Sequence, residues 1–510
     1  MTSPSARFSA LRRLGLHVSH YTLGNFLVAL AGLISFPLLT RLLSKADYGL
    51  MNLISATILI LVAVSKLGIQ HSIIRYQSQA ASGCYAFDLR TFRSTTLLTM
   101  GGIGFAVTLL WFAASWFLPA RWFSDPHTPI LFAITSVLIF SGVLESGLTN
   151  FLRAEQRSSQ FVSYQVVKRW ASLGLVVGAL LFVAADLKSF FAALIVVETV
   201  GVAALVFLVL GRNPATSISR SAFSRPLLAE MLSFSIPMML GYELSGIVLS
   251  VGDRYVVQAL LGEESLGVYA AAYNLCQYVQ TIAITSVGQA VMPIYMQIWD
   301  KKGKAATSEF INNAFIWYVL FVAPVVAGMA AVGPDLLLLL ASSKYAAGSV
   351  IIPWVIAGMA VDGVSALMGA GLFIERQSRI IMRLVILSAI SNVVLNILLI
   401  PQIGLVGPAV ATLASYAMLS MAMAMAMRGA QCLPVRVPWG SLGRACLASA
   451  VMFEVVSALH FERPLVTIIA RVGAGVVVYS LLIMVLESRV RVVVGLAWMR
   501  LRSYALEKNL

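Results

Sequence analysis

Asp253-Arg254-Tyr255, followed by Leu260-Leu261-Gly262-Glu263-Glu264-Ser265-Leu266-Gly267-Val268-Tyr269, forms a short polar link between two long apolar segments that together run over 231–292. The first segment carries Glu243, Gly246, Ser250 and Asp253 at spacings of three, four and three, which on a helix makes one polar stripe along an apolar rod. The second carries Tyr269, Tyr273, Gln277 and Gln280 at the same kind of spacing. Hydrocarbon offers such stripes no hydrogen-bond partner, so each is expected to face inward. Two wet faces on neighbouring helices predict a shared polar cavity.

The link has a counterpart earlier in the chain. Leu42-Leu43-Ser44-Lys45-Ala46-Asp47-Tyr48-Gly49 aligns without a gap on Leu260 to Gly267, and Glu155-Gln156-Arg157-Ser158 matches Glu375-Arg376-Gln377-Ser378 at nearly the same offset. Two related halves are implied. An even number of spans separates the matching links, so both halves have one orientation, with a pseudo-twofold axis along the membrane normal and a path between them.

Composition agrees. Of 510 residues, 59% are hydrophobic and only 11% charged, whereas soluble domains are roughly a quarter charged. With about 20 apolar residues needed per crossing, the chain reads as an all-α integral membrane protein of about fourteen transmembrane helices. The expected organisation is a basic segment over 1–21, a six-helix bundle over 22–211, a linker over 212–230, a second six-helix bundle over 231–428, helices 13 and 14 over 429–487, and a basic tail over 488–510. Helix 1 is expected to end at Pro37, and helix 2 to run unbroken over 50–74.

A net charge of +15 suggests nucleic acid in a soluble protein. Here most Lys and Arg fall in loops on the side of the termini, including the loop Arg153 to Arg169, so the charge reads as a topology signal that places both termini in the cytoplasm. Attraction to anionic lipid is its second meaning, and no nucleic-acid partner is expected. Cys84, Cys276, Cys432 and Cys446 are scattered, implying neither disulfide nor metal framework. Arg7, Arg12 and Arg13 before an apolar run resemble a signal sequence, but the run is long and lacks a small-residue cleavage pattern; it reads as a retained helix.

Within helix 2, Asn52, Ser55, Leu59, Val62, Lys66 and Gln70 share one face. A lysine that deep costs several kcal/mol unless hydrated or paired, so Lys66 either lines a cavity or snorkels from a helix that ends early. Glu145 and Glu198 are carboxylates inside spans, either protonated or paired across the bundle. Trp111, Trp116 and Trp122 read as an interfacial belt. Asn392 and Asn396 share a face just before Pro401, and the Met421 to Met427 alternation with alanine reads as packing. No G-x-x-x-x-G-K-[ST] loop, no G-x-S-x-G and no metal-ligand spacing of histidines occurs, so neither nucleotide hydrolysis by this chain nor a metal centre is expected.

The stretch Ser391 to Leu413, the stretch Asp253 to Tyr273, and Phe36-Pro37-Leu38-Leu39-Thr40-Arg41-Leu42-Leu43 followed by Tyr48-Gly49 together resemble the polysaccharide and lipid-linked oligosaccharide flippases of the multidrug/oligosaccharidyl-lipid/polysaccharide exporter superfamily. The resemblance implies two six-helix bundles around a central cavity and alternating access. It also implies an undecaprenyl-diphosphate-linked sugar unit as cargo, carried across a bacterial inner membrane, and no enzyme activity. The physics is compatible: a diphosphate head needs cations, its sugars need polar and aromatic groups, and its tail needs a lateral exit. The cationic candidates are Lys66, Arg75 and Arg254. The sugar-facing candidates are Asn25, Asn52, Gln70, Tyr269, Tyr273, Gln277 and Gln280. Glu243 and Asp253 are candidates for coupling, and Arg41 with Asp47 for an external gate or a plain interfacial pair. No cofactor is expected beyond coupling to a Na⁺ or H⁺ gradient or the membrane potential. Expected partners are the lipid-linked substrate, membrane lipids, a polymerase and a chain-length regulator. A small-molecule exporter of the same superfamily and a membrane-embedded sugar polymerase or ligase are the alternatives; the shortness of the external links counts against the enzyme.

Overall fold

The computed structural model describes residues 24–81, 87–211, 218–375, 377–429, 433 and 435–495. Among them there is no strand. Among the described residues, twelve helical segments are long and apolar enough to cross a membrane by length and composition. Two of these, Arg225–Ile284 with 60 residues and Ser378–Arg428 with 51, are each long enough to cross twice. Both are interrupted at a glycine with positive φ, Gly262 (φ 81) and Gly404 (φ 59), a backbone region that L side chains avoid. Counting each of the two as a pair of crossings, the architecture accommodates the fourteen expected spans. The leading basic segment and the end of the tail lie outside the described residues.

Contacts divide the chain into two units, Met1–Ala270 with Val385–Pro401, and Ala271–Leu384 with Gln402–Leu510. The first unit therefore includes not only the first helices but also the chain from Arg225 to the repeated link.

In the first unit, Pro37 does not end the first helix, which runs over Gly24–Leu42. Proline is tolerated inside a membrane helix when side chains satisfy the disturbed carbonyls; Thr40 Oγ1 donates to the carbonyls of Phe36 (2.8 Å) and Pro37 (3.3 Å). The second helix, Lys45–Ser65, is capped by Ser44, whose hydroxyl accepts from the Asp47 amide. It is not continuous to 74. Leu67 (φ 47) and Gly68 (φ 71) break it, and a new helix, Ile69–Ala81, follows. Gly68 is required sterically as well, because a Cβ there would collide with the Ser235 carbonyl of helix Arg225–Met238. One turn on, the Ser72 and Ser235 hydroxyls hydrogen-bond at 2.6 Å. Around this junction Ile69, Ile73, Phe92, Met100, Phe151, Leu227 and Met231 form a buried core. In hydrocarbon such a core is held by close packing and polar satisfaction rather than by expulsion of water.

The expected polar link Asp253-Arg254-Tyr255 is itself helical. Helix starts at Asp253 and breaks only at Gly262, the position equivalent to Ser44 in the other copy of the repeat. The second pair of repeated loops shows the same correspondence: the Arg157 amide bonds to the Leu152 carbonyl at 2.9 Å, and the Gln377 amide bonds to the Leu372 carbonyl at 2.8 Å. Asn396 donates to Asn392 Oδ1 at 3.0 Å, one turn apart on the shared face.

In the second unit, the segment Ser286–Ala341 breaks at Gly303 (φ 76). Tyr318 lies against Gly363, where any Cβ would clash, and its hydroxyl donates to the Ala360 carbonyl at 2.6 Å. The two last helices, Trp439–Ala458 and Pro464–Leu486, are tied to the unit by buried Arg471, which pairs with Asp335 and donates to the Leu459 carbonyl at 2.9 Å. The methionine alternation splits by face: Met423 and Met427 are buried, Met421 and Met425 exposed.

Candidate functional site

The site in the first unit is built on two interruptions of helix. One is the break after Lys66, which puts this lysine on the C-cap of Lys45–Ser65 and Gln70 on the first turn of the next helix. The other is a π-helical turn over Met239–Leu244 that follows Pro237. Such a turn rotates the side chains after it relative to a regular helix; the Ser245 hydroxyl satisfies the Leu240 carbonyl at 2.6 Å. Glu243 sits in that turn and meets both partners. Its carboxylate accepts from Lys66 Nζ on one oxygen and from Gln70 Nε2 on the other, with His71 Nε2 3.9 Å away. The Lys66 side chain is 13% exposed and Glu243 17%, so this lysine is paired inside the unit.

A cavity of about 430 Å³ opens beside it, lined by Ser55, Leu59, Val62 and Lys66 of the second helix and by Glu145, Gln165 and Glu198. Its size lies within the range of small-molecule sites, about 300–1,000 Å³. A second ionic cluster reaches the same cavity through Glu145 and Glu198. Lys168 Nζ is 2.6 Å from Glu145 and 2.7 Å from Glu198, and the Tyr164 hydroxyl donates to Glu145 at 3.1 Å. Lys168 does not lie in a loop, as the charge count places it, but inside helix Ser158–Phe182. The signal was present in the sequence: two carboxylates buried in apolar spans need a cation, and Lys168 lies one turn from Tyr164.

The remaining candidates fall elsewhere. Asp253 is fully buried and accepts the Tyr269 hydroxyl, and buried Arg254 donates to the Ser250 carbonyl at 3.2 Å. Asp253 thus meets Tyr269, while Glu243, inside the π turn, meets Lys66 and Gln70. Asn52 donates to the Tyr48 carbonyl at 2.8 Å. Asp47 accepts from the Ser44 hydroxyl at 2.6 Å, as part of the helix cap. Arg41 and Asn25 are exposed. In the second unit Tyr273 is buried, Gln277 exposed, and Gln280 Nε2 lies 3.5 Å from Asp362. The Arg75 side chain, Cys84 and Cys432 lie outside what the structure describes. Among the described residues no group of three His, Cys, Asp or Glu is placed to hold a metal ion.

Around the repeated link, Lys45 pairs with Glu264 at 2.8 Å, and Glu263 accepts the Ser124 amide at 3.1 Å.

Comparison with known proteins places this geometry. Over 208 residues the chain is 24% identical to an uncharacterised membrane protein of Methanocaldococcus jannaschii, covering 40% of each chain. Over 186 residues it is 22% identical to a probable low-salt glycan biosynthesis flippase, Agl15, of Haloferax volcanii, covering 35% of this chain and 39% of the relative. The match thus spans about two fifths of the length of these curated relatives. Among solved structures, the lipid II flippase MurJ in an inward closed conformation superposes with a TM-score of 0.73 at 14% identity, covering 91% of this chain and 98% of the other. An inward-facing multidrug resistance MATE family transporter of the MOP superfamily superposes with a TM-score of 0.60 at 13% identity, covering 79% and 94%. These likenesses establish the fold. The polysaccharide biosynthesis protein family matches residues 15–299, more than half of the chain, and the chain accordingly belongs to this family.

Proposed function

We infer that the protein is a flippase that moves an undecaprenyl-diphosphate-linked oligosaccharide unit across a bacterial inner membrane by alternating access, for O-antigen, capsule or exopolysaccharide synthesis. The observation that carries the reading is Lys66, a lysine inside the bundle that borders a cavity of about 430 Å³ while its charge is held by Glu243. A diphosphate entering this space offers Lys66 a second acceptor and competes with Glu243 for it. Gln165 and Ser55 at the cavity wall supply hydrogen bonds of the kind that sugar hydroxyls exchange. The Lys168 cluster keeps the two carboxylates that line the cavity neutralised, which limits repulsion of an anionic cargo. No covalent chemistry is required, and both termini lie in the cytoplasm in this reading. A polymerase and a chain-length regulator act on the delivered units.

The test is a deletion strain in which lipid-linked oligosaccharide is quantified on each leaflet and polymer at the cell surface. Accumulation on the inner leaflet, relieved by this chain and not by its Lys66→Ala variant, supports the reading. Single units that reach the outer leaflet without being joined would assign polymerisation instead. An unchanged glycan profile would turn attention to small-molecule export.

A further inference from the structure

The second unit holds a separate cavity of about 560 Å³ between the chain that follows Gly303, the start of helix Trp439–Ala458 and the chain just beyond helix Pro464–Leu486. Three arginines border it, Arg436, Arg444 and Arg489, against the single carboxylate Glu309. Two of the arginines are already engaged. Arg444 is 3.0 Å from buried Glu487, and Arg489 donates to Asn313 at 3.0 Å. The third, Arg436, is fixed only through its backbone, whose amide donates to Asn312 Oδ1 at 2.7 Å; its guanidinium has no partner among the described residues. The same cavity receives the N-terminus of helix Trp439–Ala458, whose N-cap residue is Pro438 and has no capping side chain. The Gly440 and Ser441 amides, both at the cavity wall, find no carbonyl among the described residues. An unengaged guanidinium and uncapped helix amides that converge on one space form an anion-binding arrangement, and the bidentate guanidinium matches phosphate.

The surroundings identify the source of the anion. Trp439, 72% exposed, lies in sequence between the lining residues Pro438 and Gly440, an exposed tryptophan of the kind that anchors at a membrane interface. Beyond it, Leu447 and Val451 on one helix and Val477, Leu481 and Val485 on the next are exposed apolar residues running away from the cavity. A phosphate held at the arginines places attached acyl chains along these residues. A soluble phosphate makes no use of them.

We propose that this cavity binds the phosphate headgroup of an anionic membrane lipid, through Arg436, Arg444 and the start of helix Trp439–Ala458. The site is distinct from the Lys66 cavity and does not depend on the transport reading. The test uses the full chain in phosphatidylcholine nanodiscs with and without phosphatidylglycerol, with retained lipid counted by native mass spectrometry. The expected result is one retained phosphatidylglycerol, held about tenfold more weakly in Arg436→Gln, the loss of one charge-assisted hydrogen bond. Arg379→Gln, an exposed arginine outside the cavity, keeps wild-type retention. Arg444→Gln leaves Glu487 buried without its counter-charge and can unfold the unit, so Arg436→Gln, which breaks no described contact, decides the matter. Equal retention in Arg436→Gln and the wild type overturns the proposal, as does equal retention of both lipids. Displacement of the lipid by millimolar inorganic phosphate would assign the cavity to a soluble anion and overturn the lipid source.

Discussion

Gly49 and Gly267 occupy the same position in the two copies of the repeated link, and they lie backbone against backbone. A Cβ on Gly49 would stand 2.7 Å from the Gly267 nitrogen, and one on Gly267 would stand 3.2 Å from the Gly49 nitrogen and collide with the Lys45 carbonyl. Contact between equivalent positions is what a twofold axis produces, since a residue on the axis meets its own counterpart.

Alanine at either glycine therefore does harm despite its better helix propensity. The propensity gain is about 0.5–1 kcal/mol, whereas overpacking costs about 1–3 kcal/mol, and backbone atoms cannot step aside as a flexible side chain can. Gly267→Ala is expected to lower the thermal midpoint in detergent. Gly246→Ala, where a Cβ meets nothing within 4 Å, is expected to leave it unchanged or raise it. A Gly267→Ala protein as stable as the wild type would contradict the close approach.

Lys66→Ala leaves Glu243 with Gln70 as its remaining strong partner. Breaking one side of a buried pair costs about 3–5 kcal/mol, mostly from the uncompensated charge. Lys66→Ala combined with Glu243→Gln should therefore recover much of the lost stability while export stays abolished. A double-mutant cycle of melting and export separates the two, and export restored in the double variant would remove Lys66 from the cargo path.

The same reasoning applies to Lys168, with two carboxylates at stake. Lys168→Met is expected to be destabilising by about 3–5 kcal/mol. Adding Glu145→Gln and Glu198→Gln to it restores a neutral, hydrogen-bonding wall and should restore the midpoint. Failure of the triple variant to recover would mean that the cluster does more than balance charge.

Asp88 caps helix Leu89–Ser115 by accepting the Thr91 amide at 3.1 Å. Hydrogen bonds from the Thr91 side chain and backbone hold its carboxyl below the ordinary aspartate value of 3.8. A depressed folded-state value means that the stabilisation is present above the unfolded value and is lost as pH falls through the folded one. Because the group is exposed, the effect is small, and removal of the cap in Asp88→Ala costs about 1 kcal/mol or less. The midpoint difference between wild type and Asp88→Asn is expected to change only below roughly pH 4; a difference already changing near neutrality would point to another group.

Spans, repeat and the Lys66 face were legible because each is a periodic pattern. Apolar length sets the crossings. The second pair of repeated loops reappears as matched turns because Glu155 and Glu375 end helices in the same way. Ser55, Leu59, Val62 and Lys66 line one cavity because helical spacing carried them there. What was missed depends on departures from periodicity. A π turn over Met239–Leu244 holds Glu243 against Lys66 and Gln70 while Asp253 accepts from Tyr269, and spacing arithmetic assumes an unbroken α-helix. Lys168 was assigned to a loop because charge was counted as a topology signal, while the carboxylates that recruit it lie 23 residues before it in sequence for Glu145 and on a different helix for Glu198.

Leu67 and Gly68, with their positive φ values, act as a joint between two rods, and the Glu243 carboxylate is bolted to both sides of it, to Lys66 before the bend and to Gln70 after it. An anion that draws Lys66 away from Glu243 undoes one bolt of this latch. In the flippase reading proposed above, recognition of charge and release of the helix Ile69–Ala81 would then be a single event.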